Sequence, residues 1–311
     1  MEAGIETHYT RCQRPPWVLA LQNVPGDIRA LLQGTSHERS QVSLCGFVWL
    51  FLLTGCGGGT KSTTLTTSAP GGTLTQGAPT ATADSGSALA ATDAMKSYVE
   101  ATSNGGSPDA IRQGLKLAAP NSVAYIYLEH LANTAQAALD GGKPYTKRDV
   151  TPAGNDSFKA CSDPADEKTC AILGDFKINP VGKLVDLTVN GQVIGPRLTA
   201  GSGQVVTAGG AKFTFLTGYK SNASNGLNVT VKVETGTKPI TVNIFSASYG
   251  GLDGKPRTAS GAMGRTDIAA NSNTIVAIGF DLVNVGSTLA LDGCVGKGCS
   301  GVQFTADIKV G

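Results

Sequence analysis

"DFKINPVGKLVDLTVNGQVI", residues 175–194, decides how the first folded half of the chain is built. It carries two turn signals, Asn179-Pro180-Val181-Gly182 and Asn190-Gly191. The Asn-Gly pair is the strongest short hairpin signal, because a type I′ turn needs positive φ at both central residues. Between the turns Val185, Leu187 and Val189 alternate with Asp186, Thr188 and Asn190. That period of two predicts a half-buried strand with those three aliphatic side chains inward.

Working outward, the residues before this hairpin read as helix. "ALAATDAMKSYVEATS" (88–103) sets Leu89, Met95 and Val99 near one face. "SPDAIRQGLKLAAP" (107–120) carries Ser107 as N-cap, Pro108 at the first helical position, Asp109 in the first turn and Pro120 past the end. "NSVAYIYLEHLANTAQAALDGG" (121–142) follows, capped by Asn121 or Ser122 and stopped by Gly141-Gly142. Its apolar set, Ala124, Tyr127, Leu128, Leu131 and Ala135, repeats at three and four. Helices followed by an antiparallel meander predict an α+β unit over 87–202.

Helices leading into "DFKINPVGKLVDLTVNGQVI" resemble the NTF2-like fold, and the hairpin is similar to that of secreted actinobacterial lipoproteins of this shape. The resemblance implies helices that close a curved sheet into a cone, with a pocket inside it. Tyr125, Tyr127, Phe176, Ile178, Val185 and Leu187 are then the expected lining of a small apolar ligand site. The same six side chains also serve as ordinary core.

From residue 203 to 311 the pattern is strand and turn throughout. "LNVTVKVE" (227–234) puts Leu227, Val229, Val231 and Val233 on one face and Asn228, Thr230, Lys232 and Glu234 on the other. "VQFTADIKV" (302–310) repeats the alternation, and "KFTFLT", "ITVNIFSASY" and "NTIVAIGFDL" add strands. Short strands with one polar face each predict an all-β sandwich of Ig-like size.

Upstream, Val42–Leu53 is an apolar run too short to span a bilayer as a helix but suited to the core of an export signal. It ends in Leu53-Thr54-Gly55-Cys56, which resembles the bacterial lipobox. The resemblance implies a diacylglyceryl thioether on Cys56, cleavage after Gly55, and an acylated N-terminus that holds the protein to a membrane outside the cytoplasm. Residues 1–55 are thus expected to be an N-terminal extension and signal, with the translation start downstream of Met1. A competing P-loop, Gly55–Ser62, has Thr60 at the required second glycine and no helical pattern after it. Residues 56–86 are rich in Thr, Ser, Gly and Pro, the composition of a flexible tether. About 30 such residues reach roughly 30 Å.

After Cys56 four cysteines remain. In an exported chain they read as disulfides. Of three possible pairings the local ones, Cys161–Cys170 and Cys294–Cys299, are expected. No metal is expected, since neither spacing is C-x-x-C. Across the chain 25 Lys and Arg face 23 Asp and Glu, scattered without the basic stripe that nucleic acid needs.

Candidate chemistry is sparse. His130 is the single histidine after Cys56 and reads as a half-exposed helical residue, with no G-x-S-x-G nucleophile motif to serve. Asp163, Asp166 and Glu167 in "CSDPADEKTC" read as a solvated acidic loop, and "GSGQVVTAGG" (201–210) as a linker or strand turn. The expectation is a non-enzymatic, lipid-anchored envelope protein without a cofactor that binds a protein or envelope partner. The alternative is a carrier or sensor of a small apolar ligand in the cone.

Overall fold

The computed structural model describes residues 85–251 and 253–311, with side chains from Thr92 onward. The extension, the lipobox with Cys56 and nearly all of the expected tether lie outside the described residues. The described chain is α+β: three α-helices, then antiparallel strands in three sheets.

The helices come first. α1 (Ser85–Thr102) buries Tyr98 and Val99, with Met95 packed beside them. α2 (Pro108–Gln113) starts where Ser107 Oγ accepts from Ala110 N at 3.3 Å, as the cap signal predicts. It is shorter than expected. At Gly114 the chain tightens into a 3₁₀ turn running to Leu117, pressed so close to α1 that a Cβ on Gly114 would meet Ala101 Cβ at 2.5 Å. α3 (Val123–Asp140) starts at Ser122, whose Oγ accepts from Tyr125 N, and ends at Gly141.

The first sheet runs in order β1 (Asp149–Gly154), β2 (Ser157–Cys161), β3 (Cys170–Ile178), β4 (Leu184–Val189) and β5 (Gln192–Val193), antiparallel throughout. Both predicted turns form. Asn190 and Gly191 sit at φ 52° and 70°, the geometry of the type I′ hairpin. Asn179 Oδ1 accepts from Val181 N and Lys183 N and locks the other turn.

The predicted alternation on β4 holds only in part. Register breaks between Gly174 and Ile178 shift the pairing, so Leu184, Leu187 and Val189 are the buried residues and Val185 is left half-buried. A bulge resets which residues face inward. The helices and this sheet enclose one apolar cluster that includes Tyr98, Ile111, Leu128, Phe158, Leu173 and Leu187.

The remaining strands make two facing sheets. β6 (Leu198–Ala200), β7 (Val205–Ala208), β8 (Ala211–Lys220), β9 (Leu227–Thr235), β13 (Gly261–Met263) and β15 (Asn273–Phe280) form one, in order β13-β15-β9-β8-β6 with β7 also on β8. The other holds β10 (Ile240–Val242), β11 (Ser248–Gly250), β12 (Pro256–Thr258), β14 (Asp267–Ile268), β16 (Thr288–Val295) and β17 (Gln303–Lys309). Its order is β12-β11-β16-β10-β14, with β17 also on β16. The chain enters the sandwich as early as Leu198, and "GSGQVVTAGG" supplies β7 and its turn.

Between the sheets lies a second apolar cluster. Leu227, Val229, Val231 and Val233 are all at most 1% exposed, as their alternation predicts. On β17, Ala306 and Ile308 are buried and Phe304 packs against the cluster, but Val302, which precedes the strand, is exposed.

Candidate functional site

The residues expected to line a ligand site lie in and around the helical unit's apolar cluster. Tyr127 and Leu187 are buried, and Tyr125, Phe176 and Ile178 are half-buried against the same cluster. Phe176 meets Tyr98 and Phe158 edge-on, with ring centroids 6.4 and 6.3 Å apart. Tyr98 Oη donates to the Ala124 carbonyl at 2.7 Å, so even this buried hydroxyl is spent on the fold. Burial pushes the Tyr98 phenol well up. Two surface hollows stand out elsewhere. One, of about 620 Å³, lies among Asn243, Asp292, Gln303 and Thr305; the other, of about 510 Å³, lies among Asp149, Thr151, Lys159 and Pro164. None of the six expected lining residues borders either.

Both expected disulfides are present. Cys161 and Cys170 are direct cross-strand partners of β2 and β3, and Cys294–Cys299 closes a short loop after β16. Thr241 braces the second loop: its Oγ accepts from Gly298 N at 3.0 Å and donates to Asp267 at 2.6 Å. The acidic residues of the first loop serve the turn. Asp163 Oδ1 accepts from Ala165 N, Asp166 Oδ1 from Lys168 N, and Glu167 pairs with Lys159 at 2.9 Å. Among the described residues no group of three His, Cys, Asp or Glu gathers as a metal site.

The polar groups that converge in the interior do so where α3 crosses the outer face of the β13-β15-β9-β8-β6 sheet. His130 is the correction to the sequence: expected half-exposed, it is only 3% exposed. Its Nδ1 lies 3.1 Å from Thr217 Oγ1, and Thr217 Oγ1 lies 2.7 Å from Thr230 Oγ1. A bulge creates this arrangement. Phe215 pairs with Val231, yet Thr217 pairs with Thr230, so one extra residue in β8 turns Thr217 and Tyr219 toward α3. Thr230 then repairs the gap in the ladder, accepting from Thr217 N at 3.2 Å and donating to the Thr217 carbonyl at 3.1 Å.

The proton assignment that satisfies that carbonyl as well as both hydroxyls runs one way. Thr230 donates to the carbonyl, Thr217 donates to Thr230, and His130 Nδ1–H donates to Thr217. Burial alone lowers the His130 pKa to about 3, so the ring is neutral at physiological pH.

Tyr219 walls this site, 5.6 Å from the Tyr127 ring and 5.8 Å from the imidazole, and burial raises its phenol. At the far end of α3, Asp140 Oδ2 accepts from Thr274 Oγ1 at 2.7 Å and from Ile275 N at 3.0 Å. Gly141 closes the seam: a Cβ there would meet Gly264 N at 3.0 Å. Tyr145 Oη, just beyond, reaches Met263 Sδ at 3.0 Å.

Tyr127, His130 and Gly141 lie on one helical stripe, at spacings close to multiples of 3.6. Ala124, Leu128, Ala132 and Ala135 face the helical unit's core. α3 therefore belongs to both halves. The bonds that join the two halves are those of His130 to Thr217, Asp140 to Thr274 and Ile275, and Tyr145 to Met263, while Thr217 and Thr230 bond each other within the sheet. No known family matches the chain, and no characterised protein or solved structure is similar to it.

Proposed function

We propose that the chain is a lipid-anchored extracytoplasmic envelope protein, held to the membrane through Cys56, that binds a protein or another envelope component without catalysing a reaction. The observation that carries this is Leu53-Thr54-Gly55-Cys56, placed directly after an apolar run and directly before a Thr/Ser/Gly/Pro-rich stretch. The two local disulfides support an oxidising compartment, since such bonds persist outside the cytosol. The module would stand off the bilayer by the reach of its tether, roughly 30 Å.

The helical unit is assigned to the NTF2-like cone shape on its helices packed against one antiparallel sheet. The second half is assigned to the Ig-like class on its two facing sheets around one apolar core. Phe176 packs edge-on against Tyr98 and Phe158 and Leu187 is buried, which favours binding through an outer surface over carriage of a ligand inside. Two dual-purpose experiments test the assignment. Cys56→Ser should abolish labelling by radioactive palmitate and release the protein from the membrane fraction. Crosslinking of the anchored protein in intact cells, followed by pull-down, should recover a reproducible envelope partner that the Cys56→Ser protein loses. Unlabelled wild-type protein in the cytosolic fraction would refute the anchor.

A further inference from the structure

The seam between α3 and the sandwich contains a buried imidazole, that of His130, whose hydrogen bond is to a hydroxyl and not to a carboxylate. We propose that His130 makes this seam an acid-labile joint: protonation of its imidazole loosens the packing of α3 on β8, β9 and β15, whereas the core between the two sandwich sheets stays closed.

The geometry supplies the reason. His130 already donates from Nδ1 to Thr217, so acid adds the second proton at Nε2 and leaves an imidazolium in the seam. An unpaired buried cation is costly. No element around it offers a carboxylate in compensation. From α3 itself the adjacent titratable groups are Tyr127, which is buried, and Glu129, whose own carboxyl burial pushes up toward the neutral form. β8 brings Tyr219, with Lys212 and Lys220 toward its ends. β9 brings Lys232 and Glu234, which hold each other at 2.9 Å. β6 and β15 carry no ionisable side chain at all. Arg148 acts on Tyr127 and Arg197 on Tyr219, so both flanking tyrosines sit beside positive charge. Asp140 sits ten residues along α3 and is committed to Thr274 and Ile275.

The direction follows from linkage. The closed seam holds His130 at about 3, against an ordinary value of 6.5 once it meets water. A group depressed in the closed state binds its proton better in the open one. Opening is therefore unaffected above about pH 6.5 and rises about tenfold per pH unit below it, until the closed form also titrates near pH 3.

Hydrogen exchange followed by mass spectrometry on the full chain, at about pH 7 and about pH 4.5 and corrected for intrinsic exchange rates, reads this opening. At the lower pH, protection of α3 amides should fall about 100-fold, and that of β10, β11 and β16 should change little. His130→Asn keeps a donor toward Thr217 but does not titrate, and it should flatten the pH response. Thr217→Val removes the partner and keeps the imidazole, so it should weaken the seam at both pH values while the slope persists. An unchanged slope in His130→Asn, or an equal loss of protection in β10, β11 and β16, would overturn the proposal. Should His130→Asn not fold, the imidazole NMR titration of the wild-type chain decides. No titration of His130 above about pH 4.5 supports the joint, and a midpoint near 6.5 overturns it.

Discussion

The β13-β15-β9-β8-β6 sheet is covered on both faces, but by different chemistry. Its inner face meets the second sheet through Phe213, Val229, Val231, Val276 and Ile278, all essentially unexposed. Its outer face meets α3 through Thr217, Thr230, Tyr219 and Ala277, with His130 and Asp140 of the helix bonded across. The inner face is held by area, roughly 25 cal/mol for each Å² of apolar surface removed from water. The outer face is held by the pairing of polar groups, which contributes modestly when satisfied and costs much more when broken. One face should thus respond to lost volume, and the other to lost partners and to pH.

The largest expected effect breaks the inner face. Phe213→Ala removes a fully buried ring that packs against Phe304 at 5.8 Å. It should cost about 3–5 kcal/mol, read as a fall in the urea midpoint with little dependence on pH. A comparable fall at pH 7 and pH 5 would support the comparison, and a strongly pH-dependent one would count against it.

Acidification comes next and strikes the outer face. Because the folded His130 pKa lies below the value in water, its contribution is full above about pH 6.5 and is lost as pH falls from there toward 3. At pH 4.5, about two units below the ordinary histidine value, the loss amounts to roughly 3 kcal/mol. Urea denaturation at the two pH values should show it in the wild type and lack it in His130→Asn.

Asp140→Asn should be smaller, about 1–3 kcal/mol. It keeps an oxygen near Thr274 Oγ1 and Ile275 N but loses the charge that strengthens both bonds. The smallest effect is expected at Lys232→Ala. Its pair with Glu234 is substantially exposed on both sides, and the change should stay within about 0.5 kcal/mol.

The same contrast explains what was legible in the sequence. The inner face was readable because alternation needs no knowledge of a partner: Leu227, Val229, Val231 and Val233 announce a core-facing row whatever covers them. Thr230, on the opposite side of that strand, has the polarity of a solvent face, yet it is buried. Only the bulge after Phe215 and the arrival of α3 from more than eighty residues away give it a role. A signal for α3 was present all the same. From Val123 to Leu139 the only carboxylate is Glu129, and alanines recur on both sides of the helix, as suits an element buried on two faces. Val185 falls off the inward face because two register breaks, one adding a residue in β3 and one leaving Val185 itself extra in β4, put Leu184 inward instead. β1 has no legible period because it is an exposed, Pro-containing edge strand, and β2 is too short at five residues to announce itself. The two disulfides are legible from their local spacing together with the expected export signal upstream, since short loops favour their own ends.

The proposed biology hangs on a single thiol upstream of everything in the fold. Mass spectrometry of the N-terminal peptide, from protein extracted out of its own membranes, addresses it directly. The account predicts a peptide that begins at Cys56 and carries a diacylglyceryl group on its sulfur. An unmodified Cys56 inside a peptide that still includes Leu53, Thr54 and Gly55 would contradict it.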